Sequence, residues 1–296
     1  MARMTAPALP LPQSPEYARA CAALGHPCRA GKGPLPNGNP LHWQVQVRQL
    51  PLLGQVSLLS RGPVTERQDD ALDWLQSWRP PGPLLLNAEA LPPAALRGAG
   101  FWPLVTPMTL ALLPLGPEAK MRAALAPKWR NHLNRAEGSG LEVRRLPLQG
   151  DHWLLAAEAA QARARRYRNL PPRLLAAFAA ANPGAAWIWE ARRHGAALAA
   201  IAVLRHGHMA SWTTGVTTPE GRAAQAMTLL LWEAMRWLST RGHDRLDLGM
   251  LNSDDAPGIT RFKLGTGAQA HRLGGTWLRA RALAPLARRL PEGLAT

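Results

Sequence analysis

Apolar residues fall into short runs and alternating stretches divided by proline and glycine, and the same succession of segments occurs twice. In the first stretch His42–Gln49 and Gly54–Leu59 read as a hairpin around Pro51. Thr65-Glu66-Arg67-Gln68 has capping-box spacing and opens a helix that continues to Trp78. A buried strand, Pro83–Ala88, a short helix from Pro92 to Arg97 and a strand Phe101–Leu113 complete the set. In the second stretch Ala186–Ala191, Ala196–Arg205 and His208–Val216 read as an antiparallel meander, with turns at His194-Gly195 and His206-Gly207. A long apolar helix, Gln225 to Thr240, ends at Arg241-Gly242. The strand Arg245–Gly249, a short helix from Pro257 and a strand Ala268–Arg279 follow. The recurrence predicts an α/β protein of two modules, mixed twisted sheets flanked by helices. A single irregular α+β domain is the alternative.

Between the copies lies a basic helical insert. Pro117 starts a helix that Pro127 interrupts; it resumes as Pro127-Lys128-Trp129-Arg130-Asn131-His132-Leu133-Asn134-Arg135-Ala136-Glu137 and ends at Gly138 and Gly140. Strand Leu141–Leu146 comes next. A helix from the cap Asp151 carries Arg163, Arg165, Arg166 and Arg168, and Pro171–Ala181 is a third helix. Residues 1–40 are rich in Pro and Gly, with a short helix near Pro15 to Leu24. The expected division is a segment 1–40, a first module 41–115, and a second module 116–296 that includes the insert.

Charge narrows the partners. The net charge is +16, and residues 116–296 carry 26 basic against 13 acidic side chains. Such an excess suits an anionic small molecule or carrier substrate, RNA, or peripheral contact with an anionic membrane surface. With 31 arginines and four lysines, compositional bias explains the excess equally well. No DNA-reading motif is present, which argues against DNA as a partner. No apolar run reaches the ~18 residues of a membrane span, and residues 1–15 lack the pattern of a secretory signal. Cys21 and Cys28 make no disulfide framework, no Cys/His spacing suits zinc, and a cytoplasmic setting is expected.

The segment that decides the reading is Arg245-Leu246-Asp247-Leu248-Gly249 followed by Gly258-Ile259-Thr260-Arg261-Phe262-Lys263-Leu264-Gly265. Helix, a strand ending Asp-Leu-Gly, then Gly-x-x-x-Phe-Lys-x-Gly resembles the C-terminal half of a GNAT-superfamily acyltransferase. More narrowly it resembles the bacterial Fem type, related to FemAB and the lipid II glycyltransferases of peptidoglycan cross-bridges. Lys128 to Leu141 is similar to that family's basic helix ending in Ala-Glu-x-x-Gly-Leu, and Arg61-Gly62-Pro63-Val64 to its Arg-Gly-Pro turn. The matches are ordered along residues 58–279.

The resemblance implies transfer of an acyl or aminoacyl group to a primary amine, with a cell-wall precursor as one acceptor class and aminoacyl-tRNA or acyl-CoA as donor. No bound cofactor is implied. It assigns Lys263 to charge stabilisation in the tetrahedral transition state, with Phe262 anchoring it. A surface lysine on a connecting turn is the plainer alternative. Asp247 alternates with Leu246 and Leu248. It could orient the acceptor amine, take its proton, or cap the next loop. Arg130, Arg135 and Arg166 are expected to hold an anionic donor or acceptor. One departure stands out. Arg222-Ala223-Ala224-Gln225-Ala226 occupies the place of the Gln/Arg-x-x-Gly-x-Gly/Ala turn that meets the CoA pyrophosphate. Gln225 in place of glycine should crowd a phosphate. Neither Tyr17 nor Tyr167 lies where a GNAT acid tyrosine is expected. A non-catalytic GNAT-like protein, binding RNA or an anionic membrane through its basic face, is the competing reading.

Overall fold

The computed structural model describes residues 8–51, 54–167 and 169–290; Arg168 lies outside them. The first elements are α1 (Pro15–Ala23), β1 (Cys28–Pro34), β2 (Pro40–Leu50), β3 (Gly54–Ser60), β4 (Val64–Thr65), α2 (Gln68–Ser77), β5 (Leu84–Ala88), α3 (Pro93–Gly98) and β6 (Trp102–Val105). Next come β7 (Thr109–Pro114), α4 (Glu118–Ala124), α5 (Pro127–Glu137), β8 (Glu142–Pro147), α6 (Trp153–Arg165), α7 (Pro172–Ala181), β9 (Ala186–Arg193), β10 (Ala196–His206) and β11 (Met209–Thr217). The rest are α8 (Pro219–Ala223), α9 (Ala226–Thr240), β12 (Arg245–Leu251), α10 (Pro257–Leu264), β13 (Gln269–Arg272), β14 (Gly275–Arg279) and α11 (Ala284–Ala287). By contact the chain divides into two compact units: one runs up to Thr109 and resumes at His271, the other is Leu110–Ala270.

The first unit holds a sheet of order β1-β2-β3-β5-β14-β6, with β4 paired to β2. Strands β1 to β3 form an antiparallel meander, and β5 then pairs parallel to β3. A parallel return needs a crossover, which α2 supplies. Leu59, Leu75, Leu84, Leu86, Leu96 and Phe101 form its buried centre.

Residues before 41 do not stand apart as the sequence suggested. The side chain of Gln13, fully buried, donates to the carbonyls of Gln44 and Ser60 and accepts from the Gln44 amide at 2.8 Å. Each of these bonds replaces one that water would otherwise make, so the N-terminal segment is tied to the sheet. Gly62 has no room for a side chain there, because a Cβ would lie 2.7 Å from the Gln13 amide.

The capping box at Thr65 is likewise absent. Thr65 belongs to β4 and its hydroxyl donates to the Arg67 carbonyl, so α2 starts later, at Gln68. Helix α6 is capped by His152, whose Nδ1 accepts from the Leu154 amide, rather than by Asp151.

In the second unit the sheet order is β13-β7-β12-β11-β10-β9-β8. Again three antiparallel strands, β9 to β11, precede a helix and a strand, β12, parallel to the last of them. The two-residue turn His194-Gly195 has positive φ at both positions, as a tight hairpin between right-twisted strands requires. Helix α9 buries Leu230, Leu231, Trp232, Ala234, Met235 and Leu238 against Ile201, Val203, Leu246 and Leu248. It ends where the sequence predicts. Gly242 takes φ +79°, and the amides of Gly242 and His243 return to Ser239 and Leu238. On its other flank α5 adds Trp129, Leu133 and Ala136 to the same core.

Two expected strands are each broken and divided between the sheets. Phe101–Leu113 becomes β6, in the first sheet, and β7, in the second. Pro107 in the interval cannot donate to a ladder. Ala268–Arg279 becomes β13, in the second sheet, and β14, in the first, with Gly275 at φ +86° between them. The boundary expected near residue 115 therefore moves: β7 goes with the second unit, and the chain after Ala270 returns to the first.

An ion cluster in the first unit gives a test. Arg61 binds Glu89 through Nε at 2.7 Å and Nη2 at 3.0 Å, and His271 Nε2 lies 2.9 Å from the same carboxylate. Burial opposes ionisation of Glu89, but the hydrogen bonds and charges of His271 and Arg61 win, bringing its pKa down to about 2. A lowered carboxylate pKa stabilises the fold above the unfolded value, and that stability is lost as pH falls toward 2. With the carboxylate side chain 29 % exposed, solvent screening limits the contribution to about 1–2 kcal/mol. Denaturant unfolding of Glu89→Gln should show a loss of that size at pH 7 and a gap that narrows steadily below pH 4.

Candidate active site

The site begins with a pairing that stops early. Strands β11 and β12 are joined at Met209–Arg245, Ala210–Leu246 and Ser211–Asp247, and their paired register ends there. On the other side of β11 the register with β10 slips between Ala202 and Val203, so that Thr213 is an extra residue. A bulge of this kind bends and twists its strand. The ends of β11 and β12 are thus freed from one another just beyond Asp247.

Asp247 sits on β12 between the buried Leu246 and Leu248, and it is itself buried. Its Oδ1 accepts from the Gly249 amide at 2.7 Å. Gly249 takes φ +76°, where a side chain would be strained, and a Cβ there would face Lys263 Nζ at 3.7 Å. Lys263 Nζ donates to the Met250 carbonyl at 2.7 Å and lies 5.7 Å from the centre of the Trp212 ring. The sequence placed Asp247 and Lys263 sixteen residues apart; the fold sets them on either side of one glycine.

Lys263 is not the partly exposed side chain that its place on a short helix suggested. It is 9 % exposed. Burial lowers its pKa to about 8, against the opposing pull of the Asp247 carboxylate. Its helix is held from two directions. Phe262 packs between Trp129 at 5.9 Å and Trp212 at 6.2 Å between ring centres. The Ala126 amide donates to the Gly265 carbonyl at 2.9 Å, and the Asn252 amide donates to Thr260 Oγ1 at 3.1 Å.

Of the three arginines expected at the site, two lie on α5 and one at the end of α6. Arg130 donates through Nη2 to the carbonyls of Ala123 and Leu125 and so closes the end of α4. Arg135 is exposed on the last turn of α5. Arg166 is exposed at the left-handed C-cap of α6, φ 56°. Asp255 exchanges hydrogen bonds with Asn252, a turn role.

Sequence reasoning missed Trp212 and Thr214. The Thr214 hydroxyl is buried without a hydrogen-bond partner among the described residues, on the freed part of β11. Their only signal was a position near the end of the meander.

Gln225 supplies a surprise. It sits at the N-cap of α9 with φ 57° and ψ 30°, the left-handed geometry that glycine adopts cheaply. Its side chain folds back to donate to the Arg222 carbonyl at 3.2 Å. The turn therefore keeps the backbone shape of a glycine turn without the glycine, and the amide group packs against its own loop.

A profile of the Acetyltransferase (GNAT) domain matches residues 120–272, more than half of the chain. The protein belongs to the GNAT acetyltransferase family. Membership makes it an acyltransferase fold whose general reaction is acyl transfer. Its fold is similar to that of FemX over 96 % of both chains, with TM-score 0.72 and 13 % identity. The C-terminal domain of an Agrobacterium fabrum protein assigned as a lysylphosphatidylglycerol synthetase matches with TM-score 0.52 and 15 % identity, over 93 % of this chain and 90 % of that one. A conserved Bacteroides thetaiotaomicron protein of unknown function matches with TM-score 0.53 and 9 % identity, over 90 % of each. No curated protein sequence matches. At these identities the likenesses show the fold alone. No described helix of this GNAT protein is long and apolar enough to cross a membrane.

The buried lysine yields a pH test. A folded pKa near 8 lies below the unfolded value, so Lys263 contributes stability that is full above ~10.4 and lost as pH falls through 8. Unfolding free energies of wild type and Lys263→Met, compared at pH 7 and pH 10.5, should move in favour of wild type by about 2–3 kcal/mol at the higher pH. An unchanged difference would mean that the ammonium is solvated.

Proposed function

We propose that this GNAT protein transfers an acyl or aminoacyl group to a primary amine at the parted ends of β11 and β12. The observation that carries the reading is the buried Lys263 beside Asp247, next to a glycine whose left-handed backbone brings the strand end to the ammonium. In the reaction the amine nitrogen bonds to the acyl carbon, and the bond from that carbon to the donor oxygen or sulfur breaks. The proton lost by the amine ends on the leaving group.

At neutral pH Lys263 is mainly an ammonium. Desolvated, it acts far more strongly on a developing oxyanion than it would in water. Asp247 orients the incoming amine and takes its proton. Phe262 fixes the helix on which the ammonium depends. Arg135 and Arg166, exposed on the basic insert, serve to attract an anionic donor or acceptor rather than to touch the reacting atoms. Arg130 is reassigned to structure.

Aminoacyl-tRNA is favoured over acyl-CoA as donor because Gln225 replaces the glycine of the pyrophosphate turn. The Fem likeness supports a cell-wall precursor as acceptor and a cytoplasmic setting.

Two measurements test this. In calorimetric titration acetyl-CoA should bind no tighter than about 1 mM, roughly −4 kcal/mol. Gln225→Gly, which restores the usual turn residue, should improve that affinity if the side chain is the obstacle. Low-micromolar binding by wild type would make acyl-CoA the donor. In an assay of labelled aminoacyl-tRNA with candidate amines, Lys263→Ala should lower kcat and kcat/KM together by ~10² or more, with little change in KM. Wild-type kinetics in that variant would remove Lys263 from the mechanism.

A further inference from the structure

Away from Asp247 and Lys263, the second unit gathers three guanidinium groups around one indole. The carbons at the centres of Arg145, Arg205 and Arg241 lie 4.4, 5.2 and 5.4 Å from the centre of the Trp237 ring. Arg145 also stands 5.1 Å from the Trp187 ring, and Trp187 and Trp189 meet Trp237 edge-on at 5.4 and 5.5 Å. The placement follows from the fold. Arg145, on the edge strand β8, is paired with Trp189 of β9, Arg205 is the next-to-last residue of β10, and Arg241 follows the last turn of α9.

Three like charges do not gather unless something offsets their repulsion. Among the described residues no carboxylate pairs with any of the three. Arg205 donates to His243 Nε2 at 2.8 Å and to the Gly184 carbonyl, both uncharged acceptors, because burial holds His243 neutral with a pKa of about 4. Burial first, and then the like charge of Arg241, push both Arg145 and Arg205 below the ordinary arginine range. Trp237 Nε1 has no acceptor among the described residues either. The cluster consists of donors and positive charge.

Beside it opens a cleft of about 460 Å³, lined by Arg145, Val143, Met121, Trp189 and Trp237. The two acids at its rim, Glu118 and Glu233, are already engaged by Arg236 at 2.9 and 3.0 Å.

We propose that this face is a binding site for single-stranded RNA, with phosphates on Arg145, Arg205 and Arg241 and a base against the tryptophan-lined cleft. Planar guanidinium groups and aromatic rings together form the platform that sequence-tolerant single-strand binding uses. A membrane fits less well. Leu146, the exposed large apolar side chain on β8, alternates to the face opposite Arg145, so the cluster offers nothing to insert into lipid. The site does not depend on the transfer chemistry, and Lys263→Ala should leave it intact.

Fluorescence anisotropy with a labelled RNA of about ten nucleotides tests it across a salt titration. R145A/R241A should bind at least ~10-fold more weakly than wild type, and the slope of log affinity on log salt should shrink by about 1.4, or ~0.7 for each lost phosphate contact. R165A/R173A removes the same charge from exposed positions on α6 and α7 and should stay within about two-fold of wild type. Both target side chains are exposed, and R145Q/R241Q, with longer stems retained, guards against a folding artefact. Equal weakening in both pairs would reduce the effect to net charge, and unchanged RNA binding in R145A/R241A would overturn the site. Binding to phosphatidylglycerol vesicles without binding to RNA would replace RNA by a membrane.

Discussion

Everything at the candidate site depends on the short parallel pairing of β11 and β12. Three residue pairs hold the strands together, and the ladder ends at Ser211 and Asp247. A longer ladder would keep the two strands joined beyond Asp247. The bulge at Thr213 prevents that by turning β11 on its other edge. Long burial of α9 against the sheet lets the unit tolerate the lost hydrogen bonds, since its core does not rely on them. One buried hydroxyl on the freed part of β11, Thr214, has no hydrogen-bond partner among the described residues.

The second constraint is Gly249. A positively charged amine loses much of its hydration when buried, and it remains charged only if acceptors replace the water. Lys263 has the Met250 carbonyl at 2.7 Å and the field of Asp247. Both lie within reach because the chain turns through left-handed geometry at Gly249, a conformation that a residue with a side chain adopts only under strain. The incomplete compensation shows in a pKa near 8. That value leaves the group mainly charged at neutral pH. Phe262 completes the arrangement, since Trp129 and Trp212 on its two sides fix the rotation of the helix and with it the direction of Lys263.

Much of this was legible in the chain. The meander β9 to β11, the long α9 with its Arg241-Gly242 stop, β12 and α10 all lie within a few residues of their expected places, because each carries its own period and punctuation. Strand β1 was not legible. Its residues, Cys28 to Pro34, show no alternation and are mostly exposed, and it owes its place to pairing with β2. Gly31 there lies so close to Trp43 that a Cβ would be 2.7 Å from the indole, a fit no local pattern announces. The burial of Lys263 was hidden for a related reason. An eight-residue helix with two basic side chains in its last turn reads as surface, and only the strand end and the two tryptophans packed on it say otherwise. At Gln225 the residue type suggested a crowded phosphate turn, and the backbone there takes the left-handed geometry of a glycine all the same.

The exchange of strands explains why the repeat in the sequence and the units in space have different edges. Each half of the chain repeats meander, crossover helix and parallel strand, and each then sends its last strand to the other sheet: β7 lies between β12 and β13, and β14 between β5 and β6. Strand β14 is antiparallel to both of its neighbours, so β5 and β6 run the same way and share no direct ladder. Without β14 the first sheet would be divided, and Trp277, which that strand contributes to the buried core, would be missing. A chain cut near residue 115 would therefore separate each sheet from a strand it needs. The family profile, residues 120–272, begins after β7 and ends just as the chain leaves the second unit. The sequence signal thus follows the piece of chain that carries Asp247 and Lys263, while the sheet that holds them in place is completed by β7, from outside it.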